Sequence, residues 1–180
     1  PSLFGAFPGL EAFENAFVEI YNSRLSAYGI RLVVLSSTTA NQALIEMGLV
    51  GKIAPSKMDI AIEGNCDNKT PRWKIFGVIH GKTSIAERIK DDAPASKIIM
   101  EYGFSSVLVT LDSKSFPPPH GNGINYGELG GRTNGQNQNY PQPKRDYFEK
   151  DGDFQFGYSY NLRTPPTVGE TSSGSKIKTL

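Results

Sequence analysis

Residues 55–88, PSKMDIAIEGNCDNKTPRWKIFGVIHGKTSIAER, contain the pattern from which the rest of the fold can be built. The segments MDIAIEG (58–64) and WKIFGVIHGK (73–82) are rich in β-branched and other apolar residues, and the turn formers of GNCDNKTP separate them. Two neighbouring β-strands are therefore predicted. The second strand is apolar on both faces, so we expect it to run through the protein interior.

Polar residues of both strands can be assigned to faces, because successive side chains of a strand alternate between its two sides. In the first strand, one predicted face carries Asp59, Ala61 and Glu63. In the second strand, one predicted face carries Phe76, Val78, His80 and Lys82. A histidine and a lysine at the end of so apolar a strand indicate that it leaves the core and enters a cleft. We expect Asp59, His80 and Lys82 to converge there.

A helix is predicted directly after the second strand, extending to about Tyr102. Ser84 and Glu87 have the spacing of a capping box at its start. The free amides and the dipole of a helix N-terminus favour an anion. A carboxylate, an imidazole and a lysine beside such a site indicate phosphate chemistry.

The spacing of these polar residues resembles a known nuclease signature. Asp59, then twenty residues, then His80-Gly81-Lys82 resembles the bipartite motif of the PD-(D/E)xK nucleases, with His80 in the usual acidic position. The runs TSIAERIKDDAPAS (83–96) and VTLDSKSFPPPHGNGINYGELGGR (109–132) are similar to the catalytic region of bacterial type II restriction endonucleases.

The resemblance implies an α/β fold with a restriction-endonuclease-like mixed sheet flanked by helices, and metal-dependent, sequence-specific hydrolysis of DNA phosphodiester bonds. It implies that Asp59, His80 and the carbonyl of Gly81 bind Mg²⁺, while Lys82 orients the attacking water. An imidazole ligand would make Mn²⁺ acceptable as well. Related nucleases often add an acidic residue from the first helix, for which the candidates here are Glu11, Glu14 and Glu19.

A second hypothesis, from another class, is a non-catalytic DNA-binding subunit of a heteromeric complex, in which His80 marks loss of the acidic position. Double-stranded DNA is the expected partner in both cases, together with a second copy of the chain or a second subunit. Cleavage of plasmid DNA would distinguish the two hypotheses.

The segments before and after the central stretch continue an α/β order. The predicted elements are a helix over 10–28, a strand over 30–36, a second helix capped by 37–39 and ending at Gly48, and a strand over 105–112. A helix that joins two strands of one sheet favours a parallel crossover.

The composition changes after Phe116, where Pro, Gly, Asn and Gln become frequent. We therefore predict a nuclease core over 1–116 and a loop-rich extension of the same domain over 117–180 that reads DNA. The residues proposed to contact DNA are Arg88, Arg132, Lys144, Arg145 and Arg163, with Gln136, Asn137, Gln138 and Asn139 as candidates for adenine. The segment 147–162 suggests an aromatic hairpin, and 167–180 a tail.

Composition excludes several other classes of protein. A net charge of +1 places any DNA contact in local clusters, and no apolar run is long enough to span a membrane. The single Cys66 fits a reducing compartment, the bacterial cytoplasm. The segment 77–83 lacks the spacing of a phosphate loop, and neither a paired zinc-ligand spacing nor a nucleophile elbow is present.

Overall fold

A six-stranded mixed β-sheet forms the centre of the molecule, in a computed structural model that describes residues 12–67, 70–85, 88–114, 125–130 and 143–180. The helices are α1 (Ala12–Leu25), α2 (Ser37–Met47), α3 (Arg88–Glu101) and α4 (Pro143–Glu149). The strands are β1 (Ile30–Val34), β2 (Ile60–Asn65), β3 (Trp73–Lys82), β4 (Ser105–Thr110), β5 (Phe156–Ser159) and β6 (Lys176–Thr179). Short 3₁₀ turns cover Ser26–Tyr28 and Pro55–Lys57.

The strands lie in the sheet in the order in which they occur in the chain. β1, β2 and β3 pair antiparallel, whereas β3, β4, β5 and β6 pair parallel. α3 makes the predicted crossover between the parallel strands β3 and β4. The predicted α/β class with a mixed sheet is confirmed.

Helices cover the two faces of this sheet. α1 packs Phe13 and Phe17 against Ile60 and Ile79 on one face. On the other face, α2 and α3 bury a second apolar cluster that includes Val78. The side chain of Ser36 caps α2, accepting from the amide of Thr39, and Gly48 ends it at φ 71°. In the described part of the chain no helix is long and apolar enough to cross a membrane.

A β-bulge divides β3 into two segments of different parity. The register with β2 shifts between Ile62 and Glu63, so Ile75 joins Val78 in the buried cluster under α2. Phe76 instead lies with Ile79 along an apolar groove on the α1 side and is 42% exposed. The predicted grouping of Phe76 with Val78 is therefore wrong, because an extra residue in one strand reverses the alternation.

The C-terminal part of the chain completes the sheet. The predicted hairpin over 147–162 is wrong, because Tyr147–Glu149 belong to α4 and only β5 is a strand in this segment. The predicted tail contains β6, where Ile177 is fully buried against Phe148 and Phe154. The sheet thus continues across the boundary predicted at residue 116.

Candidate active site

Asp59 and Lys82 meet where β2 begins and β3 ends. Asp59 Oδ2 accepts hydrogen bonds from the Gly81 amide at 2.9 Å and from Lys82 Nζ at 2.7 Å. The two side chains keep 21% and 11% of their surface exposed. The structure therefore brings together two of the three side chains that the sequence analysis placed at this spot.

A cleft of about 300 Å³ opens over this pair. Its charged lining consists of Glu14, Asp59, Lys82 and Arg88, beside residues of the α2 N-terminus and the 3₁₀ turn at Pro55–Lys57. Attraction to Asp59 and Asp92 outweighs the effect of burial and raises the pKa of Lys82, so the lysine is charged at neutral pH. The cleft is therefore lined by two carboxylate side chains, Glu14 and Asp59, and by two positively charged side chains, Lys82 and Arg88.

Glu14 reaches the cleft from α1, and the absence of a side chain at residue 81 permits its approach. A Cβ added to Gly81 would lie 3.2 Å from Glu14 Cγ and 3.3 Å from its Oε1. Of the other candidates on the first helix, Glu19 is exposed and does not line the cleft, and Glu11 lies outside the described residues. Of the two candidates that the structure describes, Glu14 is therefore the one at the cleft.

The donor atoms in this cleft suit a hard divalent cation. Mg²⁺ prefers oxygen ligands and is commonly held by one or two carboxylates while it keeps several waters. Asp59 and Glu14 supply such carboxylates, and Gly81 lies between them in β3. No group of three or more His, Cys, Asp or Glu able to hold a metal occurs among the described residues, so water or substrate oxygens would complete the shell.

His80 does not reach the cleft. Its side chain is fully buried, with Nε2 3.0 Å from Ser106 Oγ and the ring edge-on to Phe154 at 5.4 Å between centroids. Ser106 Oγ in turn lies 2.6 Å from Ser96 Oγ of α3. Burial lowers the pKa of His80 to about 4, against the opposing attraction of Asp92 and Asp59, so the ring is neutral. The position predicted for a metal ligand is thus part of the core.

Asp92 on α3 was missed by the sequence analysis. It is 4% exposed, and its two carboxylate oxygens approach Lys82 Nζ at 3.2 Å and Lys57 Nζ at 3.5 Å. The spacing in the sequence did indicate its burial, because Asp92 follows Ile89 by three residues and therefore shares the buried face of the helix.

The capping box predicted at the start of α3 lies partly outside the described residues. Ser84 and Ile85 lie before the helix, and Ser84 Oγ donates to Glu128 Oε2 at 3.3 Å. Glu87 lies outside the described residues. Ser84 therefore connects the end of β3 to the segment 125–130.

The residues proposed to contact DNA have different environments. Arg88 is exposed and lines the cleft, Arg163 is exposed elsewhere, and Lys144 pairs with Glu128. Arg145 is 2% exposed, and its guanidinium donates to the carbonyls of Leu129 and Pro165, both at 2.9 Å, and pairs with Glu149 at 2.6 Å. The prediction for Arg145 is corrected, because its donors are occupied inside the protein. Arg132 and 136–139 lie outside the described residues.

A second buried carboxylate joins the end of β4 to the C-terminal part of the chain. Asp112 has a positive φ of 47° and accepts from the amides of Glu128 at 2.6 Å and Leu129 at 3.3 Å and from Thr164 Oγ1 at 2.7 Å. Burial raises its pKa to about 6 although these hydrogen bonds lower it. Nothing in the local sequence distinguishes this aspartate from a turn residue.

Comparison with known proteins shows the family of the chain. A family model described as BsaWI restriction endonuclease type 2 matches residues 37–180. The chain belongs to this restriction endonuclease family. The type II restriction enzyme AgeI of Thalassovita gelatinovora is 47% identical over 170 residues, which are 93% of this chain and 59% of that protein. The chain therefore spans about three fifths of the length of this relative.

Two solved structures share the fold. The crystal structure of the specific AgeI–DNA complex superposes with a TM-score of 0.82 at 45% identity, covering 94% of this chain and 60% of that one. The pre-specific BsaWI–DNA complex gives a TM-score of 0.58 at 21% identity over 94% of this chain and 55% of that one, which supports the fold alone. The predicted resemblance to type II restriction endonucleases is confirmed at the level of the family.

Proposed function

We propose that this chain is the catalytic part of a sequence-specific type II restriction endonuclease that hydrolyses phosphodiester bonds of double-stranded DNA with a divalent metal. The observation that carries this proposal is the Asp59–Lys82 pair in an open cleft beside Glu14. Its relative AgeI is described as a restriction endonuclease in a complex with DNA, which supports the choice of substrate.

The metal would be held by Asp59, Glu14 and the backbone carbonyl of Gly81. When bound, such a cation polarises a phosphoryl oxygen and lowers the pKa of a coordinated water. Mg²⁺ fits these oxygen donors, and Mn²⁺ is accepted by similar ligands. These ligands differ from the ones predicted from the sequence. Glu14 takes the place that His80 was predicted to fill in the PD-(D/E)xK motif.

Lys82 provides the positive charge at the reacting phosphate. Its ammonium is a compact donor on a flexible stem, suited to a phosphate oxygen and to orienting a water molecule. Arg88 at the same cleft supplies a second cation for the neighbouring backbone. With a divalent cation on Asp59 and Glu14, these charges would favour DNA at the cleft although the net charge of the chain is only +1.

Base recognition is assigned to the segment after Phe116, with Arg132 as the first candidate for a guanine contact. One chain has one Asp59–Lys82 pair, whereas a duplex has two strands, so we propose that two copies act together on one site. The single Cys66 is exposed and free, which agrees with a bacterial cytoplasmic setting.

Incubation of the purified chain with plasmid DNA and Mg²⁺ tests the proposal. We expect cleavage by the wild type, and a loss of about 10²- to 10³-fold or more in Lys82→Ala and Asp59→Ala, because each removes a charged group from the reacting centre. Lys90→Ala and Asp91→Ala are matched controls, since both residues are exposed on α3.

Cleavage by either active-site variant at nearly the wild-type rate would exclude this site. Binding of DNA by the wild type without cleavage would favour the alternative, a non-catalytic DNA-binding subunit.

A further inference from the structure

The turn that follows β5 carries a leucine and an arginine that do not take part in the packing of the fold. Leu162 and Arg163 lie at its tip, between Asn161 and Thr164. Leu162 is 78% exposed. Arg163 is exposed as well, and its guanidinium makes no ion pair with any other residue that the structure describes. An apolar and a cationic side chain thus lie next to each other in solvent.

A network of hydrogen bonds holds this turn on both sides. Asn161 Nδ2 donates to the carbonyls of Asp112 at 3.2 Å and Asn125 at 3.1 Å. Its Oδ1 accepts from the amide of Arg163 at 3.0 Å. On the other side, Thr164 is only 1% exposed, and its Oγ1 donates to Asp112 Oδ2 at 2.7 Å. The backbone of the tip is therefore fixed although its two side chains are in solvent.

The aspartate at the centre of this network has an unfavourable conformation and environment. Asp112 has a positive φ of 47° and is fully buried. A left-handed backbone at a residue other than glycine and a buried carboxylate both destabilise a fold. Such features persist where the surrounding structure imposes them, and they cluster at functional sites. The cost of Asp112 therefore indicates a function for the turn that it fixes.

The turn lies at the same edge of the sheet as the candidate active site. β3, β4 and β5 run parallel, and the register aligns Lys82 with Thr110 and Thr110 with Ser159, the last residue of β5. Neighbouring strands are about 4.8 Å apart, so Ser159 lies about 10 Å from Lys82 across the sheet. Since a duplex rises about 3.4 Å per base pair, this distance corresponds to about three base pairs of DNA.

The chemistry of the two exposed side chains matches the DNA backbone. A guanidinium can donate to two oxygens of one phosphate, and an apolar side chain beside it can pack on the adjoining sugar. Contacts to phosphate and sugar fix the register of a protein on the duplex without reading its sequence. A turn that is already ordered suits this task, because little conformational entropy is lost on binding.

We propose that Leu162 and Arg163 form a backbone anchor, in which Arg163 binds a DNA phosphate and Leu162 packs on the adjoining sugar. The anchor holds the strand about three base pairs from the scissile phosphate and so sets its register over Lys82. The inference rests on the proposed function, because it takes Lys82 to mark the scissile phosphate. It assigns Arg163 to the backbone and not to a base.

The salt dependence of DNA binding tests the anchor without relying on cleavage. Affinity is measured by fluorescence anisotropy with a short labelled duplex of random sequence, at several KCl concentrations and with Ca²⁺, a hard cation that binds oxygen donors. We expect Arg163→Met to weaken binding about tenfold at low salt, and to reduce the slope of log affinity against log salt by about one. Leu162→Ala should weaken binding about threefold and leave the slope unchanged.

Two exposed residues on helices provide matched controls. Arg24 is exposed in the last turn of α1, and Ile45 on α2 is 69% exposed. We expect Arg24→Met and Ile45→Ala to keep the wild-type affinity and slope. Wild-type affinity and slope in Arg163→Met would overturn the inference. A loss seen only on a duplex with the cleavage site, and not on random sequence, would mean a base contact and would overturn it too.

Neutral methylphosphonates in the DNA locate the phosphate that the anchor binds. They are placed one at a time in a duplex that contains the site cut by the wild type in plasmid DNA. We expect one position, within about three base pairs of the scissile bond, where the replacement weakens binding by the wild type but not by Arg163→Met. Equal losses in the two proteins at every position would overturn the anchor.

The two proposals fail in different ways. A wild-type chain that does not cleave plasmid DNA with Mg²⁺ would overturn the proposed function, whatever the effect of Arg163→Met on binding. A wild type that cleaves, with an unchanged salt slope in Arg163→Met, would overturn only the anchor.

Discussion

Burial separates two side chains that β3 places on the same face. Lys82 is partly exposed in the cleft, whereas His80, two residues earlier, is fully covered by α3 and Phe154. The strand therefore leaves the core and enters the cleft between these two residues. A histidine in this place contributes to packing and to a hydrogen bond with Ser106. Under the proposed function the chemistry falls to Lys82, Asp59 and Glu14, which line the cleft.

Replacing His80 tests this separation between core and site. We expect His80→Ala to lower the free energy of unfolding by about 2 to 4 kcal/mol, because it leaves a cavity against Phe154 and removes the partner of Ser106. The ratio of cleavage rates with Mn²⁺ and Mg²⁺ should stay at the wild-type value. Denaturant unfolding and rates with each metal provide the measurement, and a shifted ratio would restore His80 as a metal ligand.

Two arginines of the chain are expected to respond in opposite ways to the same substitution. Arg145→Met should destabilise the protein by about 3 to 5 kcal/mol, because it removes the positive charge that pairs with Glu149 and the donor to two carbonyls. Arg88→Met should change stability by less than about 0.5 kcal/mol, since Arg88 is exposed. It should instead weaken DNA binding and reduce the salt dependence by about one counterion.

Thermal unfolding and DNA titrations at several salt concentrations separate the two effects. A folded Arg145→Met variant with wild-type stability and weakened DNA binding would return Arg145 to the DNA interface.

At the scale of elements, the site depends on strands that come from separate parts of the chain. β3 lies between β2, which brings Asp59, and β4, whose Ser106 contacts His80. α3 crosses from β3 to β4 and lays Asp92 over Lys82. On the opposite face, α1 carries Glu14 to Gly81.

The last strand is an integral part of this sheet and not a tail. We expect Ile177→Ala to cost about 2 to 5 kcal/mol of unfolding free energy, because Ile177 is fully buried beside Phe148 and Phe154. Val168→Ala is the control, since Val168 is 82% exposed and should change stability by less than about 0.5 kcal/mol. Similar denaturant midpoints for the two variants would contradict the placement of β6.

For the molecule as a whole, two buried groups oppose each other in their effect on acid stability. The lowered pKa of His80 stabilises the fold above its ordinary pKa of 6.5, and that stability is lost as the pH falls toward about 4. The raised pKa of Asp112 stabilises the fold below its ordinary pKa of 3.8, and that stability is lost as the pH rises through about 6. Between pH 4 and 6 the two contributions act in opposite directions.

Removing one of the two groups should expose the effect of the other. In Asp112→Asn we expect the free energy of unfolding to rise more steeply with pH between 4 and 6 than in the wild type, by about 1 kcal/mol per pH unit. The reason is that His80 binds a proton in the unfolded chain but stays neutral when it is buried. In His80→Asn we expect the slope to change in the negative direction. Urea unfolding at several pH values measures both slopes; parallel curves for the three proteins would contradict this balance.

The sequence by itself determined the local elements and the strand that ends in the site. Apolar alternation and turn residues predicted β2 and β3 closely, and the Asp59–Lys82 contact followed from their parity. These features depend on neighbours along the chain or on one strand pair, where period and turn chemistry are sufficient. The family followed from the motif and the runs downstream.

Only the tertiary structure decided which polar residues face the cleft and which lie in the core. Strand parity gives His80 and Lys82 the same face, but exposure depends on how far α3 and Phe154 extend over it. Arg145 lies in a predicted loop and Asp112 at the end of a predicted strand, and both are buried because distant carbonyls and amides pair with them. The strands β5 and β6 are likewise set by parallel pairing, of β5 with β4 and of β6 with β5. This pairing brings together residues distant in sequence and leaves little trace in the local pattern.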